Sequence, residues 1–335
     1  MARLSTAEVV KILMQDGKGI LAADESTESA NKRLVADGIE ATDENRRRYR
    51  ELLFTTPGIE EYVSGVILYD ETLRQNATDG TPFRELLASK DVLVGIKVDQ
   101  GLEDGSGGQV TKGLDGLADR LKEYKSMDAT FTKWRAVARV GDGYADTAIQ
   151  ENAKRMAAYA LAVQAAGLVP IVEPEVLMEG AHSAEDAEGA LIETLAIVCD
   201  ALATAKVDLV HTIIKTAMAV SGKDAAVRAL PHEVAERTVR ALTTAIPAGV
   251  GGVVFLSGGQ APEEAALNLN AIARLEPLPW PLAFSFSRAL QAPVEALWAG
   301  KDENRDEAQV LFMRRLQLAA LADAGGYATT MEEVA

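Results

Sequence analysis

The stretch GILAADES (19–26) decides the fold class, because it starts as an apolar strand and ends in charged and polar residues. Strands that alternate with amphipathic helices are typical of α/β proteins. An open doubly wound sheet of this kind usually carries a glycine-rich fingerprint, G-x-G-x-x-G, after its first strand. The ending AADES lacks that spacing, so the sequence favours the other arrangement with this alternation, a closed (β/α)8 barrel.

Eight apolar, β-branched runs of this kind recur along the chain, and eight is the number of strands in a TIM barrel. The runs are GILAADES (19–26), GVILYDE (65–71), VLVGIKVD (92–99), ATFTKWRAV (129–137), LVPIVEPEV (168–176), DLVHTIIKTAM (208–218), GVVFLSGG (252–259) and PLAFSFSR (281–288). We therefore predict an α/β protein with one (β/α)8 TIM-barrel domain over residues 1–335.

Amphipathic segments between these runs are predicted to form the helices. They cover residues 44–53, 146–167, 184–205, 232–246 and 306–326. The start of the chain, MARLSTAEVVKILMQDG, predicts an extra N-terminal helix, and residues 306–326 predict a C-terminal helical segment. The glycine-rich stretch 101–113 follows the third strand, so we expect a flexible insertion over the barrel mouth.

The composition excludes several classes of partner. A net charge of −16 would repel nucleic acid and anionic membranes, so any phosphate site must be a local basic pocket. No apolar run approaches the roughly 20 residues of a membrane span, and the start lacks the core of a signal peptide. The single cysteine, Cys199, cannot form an intrachain disulfide. We expect a soluble cytoplasmic protein with no membrane or nucleic-acid partner.

Charged residues lie at the C-terminal ends of five predicted strands, where a barrel places its catalytic groups. They are Asp24, Lys97, Lys133, Glu173 and Lys215. A charge buried in the barrel without a partner would be costly, so we predict that these five converge on one polar site at the mouth.

Alternation along a strand adds companions to this cluster, because residues two apart share a face. The groups that this rule predicts are Lys97 with Asp99, Lys133 with Arg135, Glu173 with Glu175, and Lys215 with Ile213 and His211. The predicted site therefore combines lysines with carboxylates.

Lysine chemistry suits this cluster best. A lysine is a nucleophile only when it is neutral, which desolvation or nearby positive charge promotes. Lys215 has apolar neighbours in sequence and basic residues on other strands if the barrel closes, so it is the first candidate and Lys133 the second. A glutamate among the lysines could shuttle protons.

The sequence does not supply the residue patterns that cysteine, serine or metal-dependent catalysis requires. Cys199 lies in a helical segment, and no G-x-S-x-G elbow occurs. His182, His211 and His232 lie far apart without the spacing of metal ligands. A metal site is therefore disfavoured.

The loops after the seventh and eighth strands commonly form the phosphate site of a barrel. Here Gly258 and Gly259 would let backbone amides approach an anion, and a helix that starts near Pro262 would add its positive end. Arg288 would supply a guanidinium suited to phosphate. Together they predict an anion site.

Ten motifs resemble those of class I fructose-bisphosphate aldolase. In chain order between residues 17 and 300 they are GKGILAADES, ENRRRYRELL, GVILYDETL, GIKVDQG, TKGLDGL, KWRAV, VPIVEPE, FLSGGQ, LNLNAI and FSRALQA. The ordered set is specific to that family.

The resemblance implies reversible cleavage of fructose 1,6-bisphosphate through a Schiff base on Lys215, with no metal or cofactor. It implies that Glu173 shuttles protons in dehydration, that Asp24 is the base at the C4 hydroxyl, and that Lys133 assists carbinolamine chemistry. Substrate-binding residues would be Ser257, Gly258, Ser287 and Arg288 for one phosphate, Ser26, Ser29 and Lys97 with Arg33 nearby for the other, and Arg135 in a supporting role. The resemblance also implies a cytoplasmic homotetramer.

The chain departs from the family pattern at a few positions. KTAM replaces Lys-Pro-Asn-Met at Lys215, Glu28 replaces a glycine, and Phe286 and Ser287 replace Tyr-Gly. The family's C-terminal tyrosine has no matching residue, and its role is not assigned to Tyr327. Three alternatives stay open: a phosphosugar-binding barrel without catalysis, an aldolase that prefers another ketose phosphate, and a metal-dependent aldolase.

Overall fold

A parallel eight-stranded sheet forms the centre of the computed structural model, which describes residues 4–141 and 144–333. Each strand pairs with the next in chain order. The strands are β1 (Gly19–Ala23), β2 (Val63–Leu68), β3 (Leu93–Lys97), β4 (Phe131–Ala138), β5 (Val169–Val176), β6 (Ile213–Thr216), β7 (Gly252–Phe255) and β8 (Leu282–Phe284). The amide of Ala22 donates a hydrogen bond to the carbonyl of Phe286 (3.0 Å), which joins β1 to the chain after β8. The sheet is a nearly closed TIM barrel, and the predicted fold class is confirmed.

Twelve α-helices occur in the described part of the chain. They are α1 (Thr6–Leu13), α2 (Thr27–Ala36), α3 (Asp43–Thr55), α4 (Asp70–Arg74), α5 (Phe83–Ala88), α6 (Leu117–Ser126), α7 (Ala148–Ala165), α8 (Ala184–Thr204), α9 (Pro231–Ala245), α10 (Pro262–Ala273), α11 (Arg288–Trp298) and α12 (Arg305–Asp323). The five segments predicted as helices correspond to α3, α7, α8, α9 and α12. None of the described helices is long and apolar enough to cross a bilayer.

Local sequence explains where several helices begin. Ser183 caps α8, because its hydroxyl accepts from the amide of Asp186 (3.1 Å) while the Asp186 carboxylate accepts from the amide of Ser183 (2.9 Å). This reciprocal arrangement satisfies two amides that a helix start leaves open. Pro231 and Pro262 open α9 and α10, where a missing amide hydrogen costs nothing.

Apolar side chains fill the N-terminal half of the barrel interior, and α1 closes that end. Those from the strands are Ile20, Ala22, Ile67, Phe131, Val169, Ile171, Ile213, Val254 and Ala283, and those from α1 and its end are Val9, Val10, Leu13 and Met14. The ring of Phe131 needs the glycine at position 95, because a Cβ there would lie 2.2 Å from the ring. A second, larger apolar cluster includes buried side chains of both the strands and the helices.

The glycine-rich insertion after β3 forms a β-hairpin. Leu102–Gly105 pairs antiparallel with Gly108–Thr111. Asn152 of α7 donates to the carbonyl of Gln109 (2.9 Å) and accepts from the amide of Thr111 (3.0 Å). These contacts fasten the hairpin to α7.

The sixth strand is shorter than predicted. A 3-10 turn at Leu209–His211 precedes β6, and the Asp208 carboxylate accepts from the amide of Val210 (3.1 Å) at its start. His211 therefore lies before β6, with its Nδ1 2.9 Å from Asp208 Oδ2. The prediction that His211 shares a strand face with Lys215 is wrong, because the aspartate turn delays the strand.

Candidate active site

A cavity of about 1130 Å3 lies at the C-terminal ends of the barrel strands. Nine basic and eight acidic side chains line it, so its local charge is nearly balanced in a chain of net charge −16. All thirteen residues that the sequence indicated for the site line this cavity: Asp24, Ser26, Ser29, Arg33, Lys97, Lys133, Arg135, Glu173, Lys215, Ser257, Gly258, Ser287 and Arg288.

Two lysines and two carboxylates form the floor of the cavity. Lys215 Nζ lies 3.0 Å from Glu173 Oε1, and Lys133 Nζ lies 2.8 Å from Glu173 Oε2. Lys133 Nζ also lies 2.6 Å from Asp24 Oδ2. All four residues are buried. They come from four strand ends, β1, β4, β5 and β6, and each is two residues beyond an apolar residue of the barrel interior.

The charges of this group stabilise one another. Burial opposes ionisation of Glu173, but Lys133, Lys215 and Arg135 outweigh it and hold the pKa of Glu173 well below its usual range. Burial likewise opposes the charge on Lys133, but Asp24 and Glu173 outweigh it and raise the pKa of Lys133. Lys133 is therefore held as an ammonium group, and Glu173 as a carboxylate that accepts hydrogen bonds, as long as the neighbouring charges are in place.

A second layer of charges flanks the floor on β3, β4 and β5. Arg135 forms an ion pair with Glu175, and its amide donates to Asp99 Oδ2 (3.2 Å). Lys97 contacts the Asp99 carboxylate and donates to the Asp99 carbonyl (3.1 Å). The predicted grouping of Lys97 with Asp99 is present, and it meets the Arg135–Glu175 ion pair in one network.

One edge of the mouth, after β7 and β8, brings two glycines close to a guanidinium group. Gly258 and Gly259 have φ angles of +59° and +95°, a left-handed conformation that favours glycine. A Cβ on Gly259 would lie 3.4 Å from the guanidinium of Arg288. Arg288 is exposed at the start of α11, and no described carboxylate lies within 4.0 Å of it. Its guanidinium is therefore available to a ligand.

A second edge of the mouth is the start of α2. Ser26 caps this helix: its hydroxyl accepts from the amide of Ser29 (3.3 Å) and donates to the Ser29 hydroxyl (3.1 Å). Glu28, at the position where the family usually has glycine, lies 2.6 Å from Lys32 on the exposed side of α2. That pairing offsets the negative charge which Glu28 brings to the edge.

Sequence reasoning missed Glu25 and Ser285. Ser285 is buried and lines the cavity, and alternation from Ala283 on β8 would have indicated it. Glu25 pairs with Arg33 and Arg50 and accepts from the hydroxyl of Ser287 (2.7 Å). Burial of Glu25 opposes its charge, but the two arginines outweigh it and lower its pKa to about 2.

No group of three histidine, cysteine, aspartate or glutamate side chains in residues 4–141 and 144–333 is arranged to hold a metal ion. The fold and the cavity together are those of a barrel enzyme with buried lysines at its floor and basic groups at its mouth.

Comparison with known proteins identifies the family. The family model for class I fructose-bisphosphate aldolase matches residues 5–335. Over 316 residues the chain is 47% identical to fructose-bisphosphate aldolase 4, cytosolic, of Arabidopsis thaliana, covering 93% of this chain and 80% of the relative. Identity to the probable class 1 aldolase of Xanthomonas campestris pv. campestris is 46% over 325 residues, or 95% and 97% of the two chains.

A solved structure agrees with these matches. The fructose-bisphosphate aldolase of Plasmodium falciparum, crystallised with TRAP and a small-molecule inhibitor, superposes with a TM-score of 0.94 at 42% identity. The alignment covers 96% of this chain and 95% of that one. The chain belongs to the class I fructose-bisphosphate aldolase family. It is a lyase of glycolysis.

Proposed function

We propose that this aldolase cleaves fructose 1,6-bisphosphate with Lys215 as the nucleophile. The observation that carries this assignment is the unequal pairing of the two floor lysines. Lys133 is held between the carboxylates of Asp24 and Glu173, whereas Lys215 faces Glu173 alone. The proton of Lys215 can pass to Glu173, because the transfer removes one of the charges that lower the pKa of Glu173, while Lys133 stays charged and stabilises developing negative charge.

The covalent step then proceeds in a balanced sequence. Neutral Lys215 Nζ attacks the C2 carbonyl carbon, and the resulting carbinolamine loses its hydroxyl as water after protonation by Glu173. The product is an iminium ion, which can accept an electron pair. Glu173 lies 3.0 Å from Lys215 Nζ, within reach of the atoms that exchange these protons.

Cleavage uses Asp24 as the base. Asp24 removes the proton of the C4 hydroxyl, the C3–C4 bond breaks, and its electron pair moves into the iminium to form an enamine. Glyceraldehyde 3-phosphate leaves. Protonation of the enamine and hydrolysis of the iminium then release dihydroxyacetone phosphate and restore Lys215. We assign no step to a metal ion or a cofactor.

The two edges of the mouth would hold the two phosphates. Ser257, Gly258 and Arg288 form one site, to which Ser287 is adjacent, and the start of α2 with Lys97 forms the other. Because Ser287 donates its hydroxyl to Glu25, its side chain is engaged and only its backbone remains for phosphate. Arg135 supports the network through Glu175.

Borohydride trapping tests this mechanism. Dihydroxyacetone phosphate and borohydride should inactivate the enzyme and leave a reduced adduct on Lys215, located by peptide mass mapping. Lys215→Ala should take up no label, while the exposed control Lys122→Ala should be labelled like the wild type. An adduct on Lys133 instead, or activity that a chelator abolishes without any adduct, would overturn the proposal.

Two further features follow from the family. We propose that residues 1–335 form one barrel domain and that the enzyme is a cytoplasmic homotetramer, since the family model covers residues 5–335 and some relatives are named cytosolic. The substrate is a sugar phosphate, and nucleic acid and membranes are not partners. Analytical ultracentrifugation at micromolar concentration should give the mass of four chains, and a monomer would contradict the assembly.

A further inference from the structure

Glu295 on α11 is a buried carboxylate behind the anion-binding mouth. Its side chain is 2% exposed, and one oxygen, Oε2, forms an ion pair with Arg33. The other oxygen, Oε1, is buried and has no hydrogen-bond partner among the described residues. A buried carboxylate that is only half satisfied is costly when it is ionised. The charge on Glu295 therefore depends on Arg33.

Arg33 is shared between this carboxylate and another. One guanidinium nitrogen meets Glu25 and the other meets Glu295, and the Arg33 side chain also lines the cavity. Glu25 has two other donors, because it pairs with Arg50 and accepts from the hydroxyl of Ser287. Glu25 would stay satisfied without Arg33, whereas Glu295 would be left with no partner.

Other charged groups around Glu295 are few. Four charged residues act on the Glu295 carboxylate: Arg33 in α2, Asp37 just after α2, Glu25 after β1 and Arg50 in α3. The small cavity beside Glu295 is also lined by Arg46, Tyr49 and Glu71. Burial raises the pKa of Glu295 to about 7; the charge of Arg33 opposes the shift and that of Glu25 adds to it. Glu295 therefore changes charge close to neutral pH.

We infer that Glu295 is a positioning residue for the substrate phosphate, which holds Arg33 back from the mouth when ionised and releases it when protonated. An anion at the mouth attracts the Arg33 guanidinium and weakens its pairing with Glu295. The carboxylate, buried and unpaired, then takes up one proton from solvent. Anion binding and proton uptake are thus linked. This inference rests on the proposed function, because it takes the mouth to be the phosphate site.

Steady-state kinetics of Glu295→Gln test the linkage. The glutamine keeps the shape of the side chain but has no charge at any pH. We expect its KM at about pH 8 to lie roughly 3- to 10-fold below that of the wild type, with the two values converging near pH 6 and kcat unchanged. Titration of the substrate phosphate cancels, because both enzymes are compared on the same substrate.

Asp37→Asn is the matched control. It removes one negative charge from the same neighbourhood, but Asp37 is exposed and forms no ion pair within 4.0 Å among the described residues. Its KM should stay within about twofold of the wild type at every pH, because Asp37 acts on Glu295 only weakly and through charge, and Glu295 itself is still present. A KM ratio between Glu295→Gln and wild type that is constant with pH, or a fall in kcat at unchanged KM, would overturn the inference, because a merely structural role predicts those results.

Calorimetry gives a second measurement that needs no variant. Sulfate mimics phosphate but does not titrate near neutrality. At about pH 7.5, in buffers of different ionisation enthalpy, sulfate binding to the wild type should take up about half a proton or more per site. Binding without proton uptake would overturn the linkage. Sulfate does not react with Lys215, so failed borohydride trapping with retained uptake would refute only the mechanism.

Discussion

The two ends of the barrel interior obey the same strand alternation but contain opposite kinds of side chain. On β4, Phe131 fills the closed end and Lys133, two residues further, belongs to the charged floor. On β6, Ile213 and Lys215 show the same change. Two residues of a strand advance the chain by roughly 6.5 Å. Over that distance the interior changes from apolar side chains to paired charges, so stability and chemistry should be separable by mutation.

Lys215→Ala should produce the largest effect and should act at the mouth only. Loss of the nucleophile is expected to lower kcat by at least about 10^4-fold, as for other covalent catalysts. The midpoint of thermal unfolding should change little, because Glu173 keeps Lys133 as a partner when Lys215 is removed. Cleavage above a trace would refute the covalent role, and Lys122→Ala should retain full activity.

Phe131→Ala should have the converse effect at the closed end. Removing a buried phenylalanine costs about 3–5 kcal/mol, and the glycine at position 95 offers no side chain to fill the gap. Chemical denaturation should show that loss of unfolding free energy. The folded fraction should keep its kcat within a few-fold; a large loss of kcat at unchanged stability would show that the two ends are not separable.

Arg288→Ala should weaken binding at the rim without affecting the floor. Hydrogen bonds to charged groups contribute about 1.5–3 kcal/mol, so the KM for the bisphosphate should rise roughly 10- to 100-fold while kcat falls less. Arg288→Lys should recover only part of the loss, because lysine cannot form the paired contacts of a guanidinium. An unchanged KM would place the phosphate elsewhere.

Glu295 should give the smallest effect, and one that depends on pH. Its pKa is raised from 4.5 to about 7, so the folded state keeps a proton that the unfolded chain loses as pH rises above 4.5. The stabilising contribution of protonated Glu295 is fully present below pH 4.5, and it is lost as the pH rises to about 7. Glu295→Gln should therefore be more stable than wild type by about 1–3 kcal/mol at pH 8, and by less at pH 5.

Chemical unfolding curves of Glu295→Gln and wild type at pH 8 and at pH 5 measure this difference in unfolding free energy. An equal change in stability at both would contradict the raised pKa of Glu295. Asp37→Asn is again the reference, since an exposed side chain contributes little at either pH.

Sequence periodicity was sufficient for the barrel and for the floor, because both follow from alternation within single strands. Lys133 and Lys215 each follow an interior apolar residue by two positions, a relation visible in the sequence. The prediction for His211 was wrong because a local turn, capped by Asp208, delays the start of β6. Contacts between distant segments could not be foreseen: Ser287 and Glu25 lie 262 residues apart in the chain, as do Arg33 and Glu295.

The helix α1 has a consequence for the passage of molecules through the enzyme. Val9, Val10, Leu13 and Met14 of this segment close the barrel from below. The cavity at Lys215 is therefore closed towards α1 and opens at the C-terminal ends of the strands. On the proposed mechanism, the substrate and both products pass through this opening. A fragment still attached to Lys215 would block the next substrate, so one turnover would have to finish before the next begins.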